Sequence, residues 1–221
     1  VEGDPFPESF ILPYKKIQDL RYGENPHQKA AFYKNAGKAE GLGALKQLHG
    51  KELSYNNIVD MDAAWNMVWE FREEPACCII KHTNPCGAAT GRSSAEAFAK
   101  AFEADTKSAF GGIVACNREI DEEAALAMKG IFLEVVMAPS FTPDALAVWD
   151  TAKNIRLVQL APPIFDGLAI KKVSGGLLVQ EEDSIVEDET LYEVVTDSKP
   201  TEAEWKGLYF AWKLVKHVKS N

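Results

Sequence analysis

A lysine next to a histidine, directly after a run of apolar residues, is the most chemically suggestive feature of this sequence. The segment reads Ile79-Ile80-Lys81-His82-Thr83-Asn84-Pro85-Cys86-Gly87. A lysine in such a place offers a fixed cation to developing negative charge, and a histidine offers a base that titrates near neutral pH. The apolar residues before them predict a buried strand. Its polar followers then lie at a strand's C-terminal end, where open α/β sheets bind ligands. On composition alone, the plain alternative is a surface Lys-His dipeptide.

Arg21-Tyr22-Gly23-Glu24-Asn25-Pro26-His27-Gln28 is a second dense group of recognition chemistry. Arg21 can grip a phosphate or carboxylate with two parallel hydrogen bonds, and Tyr22 can stack on a planar ring. A turn around Asn25-Pro26 accounts for the proline and glycine but not for that mixture. His27 and His49 are read as satisfied structural histidines. The polar stretch from Lys51 to Asp60 leads into a helix and is explained by capping and turn chemistry. Ser108-Ala109-Phe110-Gly111-Gly112 lacks the Gly-Lys-Ser/Thr ending of a phosphate loop, yet its glycines would let a ligand approach the backbone.

His82 with Pro85-Cys86 invites comparison with zinc deaminases, which use His-x-Glu followed by Pro-Cys-x-x-Cys. Asn84 stands where the glutamate belongs and Ala89 where the second thiolate belongs. With the acid/base carboxylate and a third ligand both missing, catalytic zinc is not expected.

These residues need a scaffold, and the chain alternates in the manner of an α/β domain. Strands are expected near 76–80, 112–116, 133–137, 156–160 and 176–180. Helices are expected over Asp62–Glu74, after a Ser93/Glu96 capping box, over Asp121–Lys129 with Gly130 just beyond its end, and over Glu204–Lys219. The acidic run from Glu181 to Glu189 reads as a solvated loop or edge.

Composition narrows the function classes. The 221 residues carry 24 Lys+Arg against 33 Asp+Glu, a net charge of −9, with 46% hydrophobic residues. That is a globular balance, and the absence of a clustered basic surface argues against nucleic acid as partner. No apolar run approaches the roughly 18 residues of a membrane helix. The start lacks a signal-peptide pattern, so a cytoplasmic setting is expected. Four cysteines (Cys77, Cys78, Cys86 and Cys116) in a chain this long suit reduced thiols, and neighbours 77 and 78 should face opposite ways on a strand. Residues 1–13, proline-rich at their start, read as a linker that continues from a longer protein.

Several motifs, taken in order, resemble one family. Arg21 to Gln28, Lys51 to Asp60, Lys81-His82 with Asn84-Pro85-Cys86-Gly87, Ser108 to Gly112 and the closing Val218-Lys219-Ser220-Asn221 closely resemble the aminoimidazolecarboxamide ribonucleotide (AICAR) transformylase domain of the bifunctional purine-biosynthesis enzymes. Those enzymes also carry an inosine monophosphate cyclohydrolase domain. The resemblance implies a cytidine-deaminase-like three-layer α/β sandwich, with a mixed sheet and helices on both faces but without the zinc. It implies formyl transfer from 10-formyltetrahydrofolate to the 5-amino group of AICAR, with His82 as proton acceptor and Lys81 stabilising the transition state. It places Arg21, Tyr22, Gly111, Glu134 and Asn221 at the nucleotide, and it implies a homodimer compatible with a bound alkali cation. Residues 14–221 correspond to the N-terminal part of that domain. The family's Phe-Phe-Pro-Phe-Arg segment and most of its folate-binding residues have no counterpart here. The chain by itself is therefore expected to be inactive, a nucleotide-binding and self-associating piece.

Overall fold

Alternate side chains of the central strands serve two different cores, and that division determines the architecture. The computed structural model describes residues 6–37, 40–163, 167–184 and 191–219. Among the expectations above, Ser220 and Asn221, residues 185–189 of the acidic run and the first five residues of the linker lie outside the described residues.

Six strands form a mixed sheet in the order β3 (Lys46–His49), β8 (Arg156–Gln159), β7 (Leu133–Ala138), β6 (Gly112–Cys116), β4 (Ala76–Lys81), β5 (Asn84–Thr90). The three middle strands β6, β7 and β8 are parallel; β3, β4 and β5 join antiparallel. Two antiparallel hairpins stand outside this sheet. One pairs β1 (Tyr14–Leu20) with β2 (Ala30–Asn35), and the other pairs β9 (Leu168–Val173) with β10 (Gly176–Glu181).

Helix α1 (Tyr55–Val68) covers one face of the sheet, over Cys78, Ile80, Ile113, Ala115, Val135 and Met137. Phe210 and Leu214 of α5 (Glu202–Val215) pack against the same layer. Helices α2 (Ser94–Ala104), α3 (Glu122–Met128) and α4 (Pro143–Val148) cover the other face, over Cys77, Ile79, Val114, Cys116 and Val136. The expected three-layer sandwich, with helices on both faces of a mixed sheet, is the fold observed. Cys77 and Cys78 do point into opposite layers, and all four cysteines are free thiols.

The continuous apolar strands fall where periodicity puts them, and α3 is bounded by Asp121 as N-cap, with Gly130 at φ 88° just past its end. Several details differ, among them the ends of α1 (Val68, not Glu74) and of α5 (Val215, not Lys219). Helix α1 begins seven residues before the expected Asp62, because Ser54 accepts from the Asn57 N–H while Asn57 accepts from the Ser54 N–H, a capping box built with asparagine. The Ser93 hydroxyl caps α2 as expected, but Glu96 turns back to the Arg92 N–H and guanidinium instead of closing a box. Residues 84–90, where no strand is expected, form strand β5. Pro85 is tolerated there because β5 is the sheet's edge and a bulge absorbs it between the Ile79 and Ile80 pairings.

Helix α5 is anchored by electrostatics as well as by the stacked Phe71–Phe210 pair, 4.6 Å between ring centroids. Glu70 Oε1 lies 2.9 Å from Lys216 Nζ and 2.8 Å from His217 Nε2. Burial by itself would raise the Glu70 carboxyl, but the hydrogen bonds from His217 and Lys216 outweigh it and hold the group below the ordinary carboxylate value. A carboxyl lowered by folding stabilises the folded state above its unfolded value and loses that contribution as pH falls through the folded one. Below about pH 4.3, the ordinary glutamate value, α5 should therefore loosen before the rest of the fold. Fluorescence of Trp205 and Trp212 on α5 should report it, and Glu70→Gln should remove that pH-dependent step. An unchanged acid transition in Glu70→Gln would refute the assignment.

Candidate active site

The Lys81-His82 pair sits at the tip of the β4–β5 hairpin. Lys81 and Asn84 are paired, which leaves His82 and Thr83 as a two-residue turn with φ of 53° and 62°. Because β6 runs antiparallel to β4 and parallel to β7 and β8, this end of the sheet carries the C-terminal end of β4 and the N-terminal ends of the parallel trio. The general rule for ligands at strand C-termini thus holds for β4 and, because it runs antiparallel to β8, for β3, but not for the parallel trio. What gathers here is set by turns, a bulge and one helix start.

Contacts run around the site in a closed circuit. The Lys81 ammonium donates to the Phe110 carbonyl at 2.8 Å. Gly111, at φ 75°, donates its N–H to the Phe132 carbonyl at 2.7 Å, a backbone shape that glycine adopts without penalty. Two residues later Glu134 is the extra residue of a bulge, since Gly112 pairs with Leu133 and Ile113 with Val135. The bulge turns Glu134 toward α1, where the buried Asn57 amide donates to its carboxylate at 2.7 Å. One turn along α1, Asp60 accepts from the His82 and Thr83 N–H groups. Lys81, His82, Gly111 and Glu134 are thereby brought together.

Arg156 lies 3.6 Å from the Glu134 carboxylate, and with Lys51 and Phe132 it lines a cleft of about 190 Å³. A larger groove of about 710 Å³ opens on the other side, lined by Tyr14, Tyr33, Asn66, Thr83, Lys216 and Lys219 among others. Both linings mix charges: Glu134 stands beside Lys51 and Arg156 in the cleft, and Glu40 and Asp62 beside Lys216 and Lys219 in the groove that Thr83 borders. The His82 side chain is exposed, and its imidazole has no hydrogen bond among the described residues. One ammonium hydrogen of Lys81 is committed to Phe110, so two remain for a ligand.

Arg21 and Tyr22 lie apart from this circuit. They begin the β1–β2 loop, with the Arg21 guanidinium 5.8 Å from the Tyr22 ring centroid, and Gln28 closes that loop through Gly23 and Asn25. The hairpin is tied to the start of α1 by the Gln18 amide, which donates to the Leu53 carbonyl at 3.5 Å. His27 is exposed on the loop rather than a packed structural histidine, because the loop closes through Gln28; His49 does meet the Ala152 carbonyl at 3.2 Å. The chain returns to the site at its other end, where the Lys219 N–H donates to the Asn84 side chain at 2.9 Å.

Burial pushes the Cys86 thiol above its ordinary value, and Asp105 adds to the shift. Among the described residues no group of three or more His, Cys, Asp or Glu side chains is placed to hold a metal ion. Nor is any helix among them long and apolar enough to cross a membrane.

Comparison with known proteins places the chain in a family. The whole chain, residues 1–221, matches the AICARFT/IMPCHase bienzyme family. The chain belongs to that family. It is 53% identical over 224 residues to the bifunctional purine biosynthesis protein PurH of Listeria monocytogenes serotype 4a (strain HCC23), covering 100% of this chain and 44% of that protein. The PurH of Halalkalibacterium halodurans is 53% identical over 223 residues, 99% of this chain and 43% of its own length. That of Thermoanaerobacter sp. (strain X514) is 52% identical over 216 residues, 98% and 42% respectively. This AICARFT/IMPCHase family chain thus spans less than half the length of the curated relatives it matches.

Within the family chain, Asp60 and Asn57 are the residues that the sequence did not single out. Both stand in a polar stretch explained by capping alone. The signal that could have found Asp60 is its place one helical turn after Asn57, on the face that meets the hairpin.

Proposed function

We infer that the intact protein containing this chain transfers a formyl group from 10-formyltetrahydrofolate to the 5-amino group of AICAR, and that it carries an inosine monophosphate cyclohydrolase activity elsewhere in its length. The observation that carries this reading is the closed circuit joining the Lys81-His82 turn to Gly111 and Glu134. The acceptor amine is a weak nucleophile, its lone pair delocalised into the imidazole ring and carboxamide. Attack therefore needs a base for the departing proton and a cation for the oxyanion formed on the formyl carbon. His82, with a free imidazole, takes the proton; Lys81, with two uncommitted donors, faces the oxyanion. Gly111 and Glu134 are proposed to contact the nucleotide from the β6 and β7 side. Arg21 and Tyr22 are proposed to contact it from the β1–β2 loop, and Asn221 from the segment that follows Lys219.

The same reading assigns residues 1–13 as a linker and 14–221 as the N-terminal part of the transformylase domain. It also assigns the working protein as a cytoplasmic homodimer with no nucleic-acid or membrane partner, free of zinc and compatible with an alkali cation. The folate-binding residues are assigned to length outside this chain. The 221-residue chain should accordingly bind AICAR weakly and catalyse no formyl transfer, because catalysis needs both reactants held in register, an effect worth roughly 7–11 kcal/mol of barrier in well-oriented cases. Calorimetric titration with AICAR and a formyl-transfer assay on the chain test the two halves. Absence of AICAR binding would overturn the nucleotide assignment, and turnover would place the folate site within these residues.

A further inference from the structure

The turn that presents His82 has a shape its own residues disfavour. A two-residue hairpin turn with positive φ at both positions is ordinarily made from Asn-Gly or Asp-Gly. Here the two positions are His82 and Thr83, the only non-glycine residues with positive φ among the described residues. Histidine tolerates that region; for β-branched threonine it is a genuine outlier. Conformations of this kind persist only where the surroundings over-determine them, and they cluster at functional sites.

Asp60 supplies the constraint. Its Oδ1 accepts from the Thr83 N–H at 2.8 Å and its Oδ2 from the His82 N–H at 3.2 Å, so one carboxylate spans both backbone donors of the tip. Such bonds to an ionised acceptor are stronger than those between neutral groups. A hairpin tip usually leaves these groups to water. Here they are held by a helix whose own first turn is fixed by the Ser54–Asn57 box, and Asn57 in turn holds Glu134 on the opposite wall.

We propose that Asp60 is a positioning residue for formyl transfer: it locks the His82-Thr83 turn in its left-handed shape and so sets the His82 imidazole and Lys81 ammonium in register with the Gly111–Glu134 wall. This rests on the functional reading above. Asp60 touches no reacting atom itself.

The test is made in the intact protein. Asp60→Asn keeps the size of the side chain but replaces one acceptor with an NH2 group that confronts a backbone N–H. Turnover should fall about 10- to 100-fold, as for other small misplacements of catalytic groups, with KM for AICAR within about threefold. Adding Thr83→Gly to Asp60→Asn should recover about tenfold, because glycine adopts positive φ without support. Hydrogen exchange in a peptide spanning residues 81–84 should be slow in the wild type and accelerate in Asp60→Asn, a readout independent of activity.

Wild-type turnover in Asp60→Asn, or lost turnover that Thr83→Gly does not recover, would overturn the proposal. A variant that fails to fold with and without Thr83→Gly would overturn it as well, since Asp60 would then hold the fold rather than the tip. An intact wild-type protein without formyl-transfer activity would instead refute the functional reading, and the exchange measurement would still decide whether Asp60 holds the turn.

Discussion

His82→Ala in the intact protein lowers the formyl-transfer rate by about 10²–10⁴-fold, the usual contribution of a general base, and leaves AICAR affinity close to wild type. The geometry behind this expectation is specific. The His82 backbone is pinned by Asp60 while its imidazole is uncommitted and exposed, so truncation removes a proton acceptor without removing a packing contact. Lys81→Ala should also cost turnover, since its ammonium is held by the Phe110 carbonyl beside the same turn. If the two act as a unit, the double variant will lose less than the sum of the two single losses. Steady-state kinetics with a separate measurement of AICAR binding checks all three. A His82→Ala enzyme with its turnover number intact would remove His82 from the mechanism.

Gly87→Ala unfolds or severely destabilises the protein, by at least about 3 kcal/mol, at the upper end of what overpacking costs. A β-carbon on Gly87 would overlap the Ala101 carbonyl oxygen and lie 2.9 Å from its carbonyl carbon. Both atoms belong to the backbone of α2, which cannot swing aside as a side chain can. Because β5 is the edge strand and α2 packs directly on it, the helix would have to lift from the sheet, opening the layer that holds Phe98, Cys77 and Ile79. Chemical denaturation measures the loss. A variant within about 1 kcal/mol of wild type would show that α2 is free to shift.

How far this molecule can be read from its sequence depends on where each element sits. Ala76–Ile80 and Gly112–Cys116 are legible because strands buried on both faces are uninterruptedly apolar, and Leu133–Met137 is legible because Glu134 alone breaks its apolar run. β5 is not, because an edge strand accepts the proline and glycine that elsewhere signal a loop. β1 and β2 escape notice because a largely exposed hairpin needs no apolar alternation. The start of α1 is hidden because Asn56, Asn57 and Asp60 look like turn residues until Asn57 is seen to cap the helix and hold Glu134.

At the site, the types of Lys81 and His82 announce their chemistry, and the likeness to a known family brings Gly111 and Glu134 with them. Asp60 is silent in the sequence. It acts on two backbone N–H groups whose dihedral angles no pattern of side chains displays.

The placement of the cysteines on the two faces of the sheet has a practical consequence. Burial drives the Cys77 and Cys78 thiols well above their ordinary value, and only the thiolate reacts readily with alkylating reagents. Neither is modified, therefore, until its own layer opens. Cys77, beneath α2, reports separation of that helix from the sheet; Cys78, beneath α1, reports separation of the helix on the other face. The half-buried Cys86 on the edge strand reacts ahead of both. The chain thus carries a native set of chemical clocks, able to tell which side of the sandwich comes apart first.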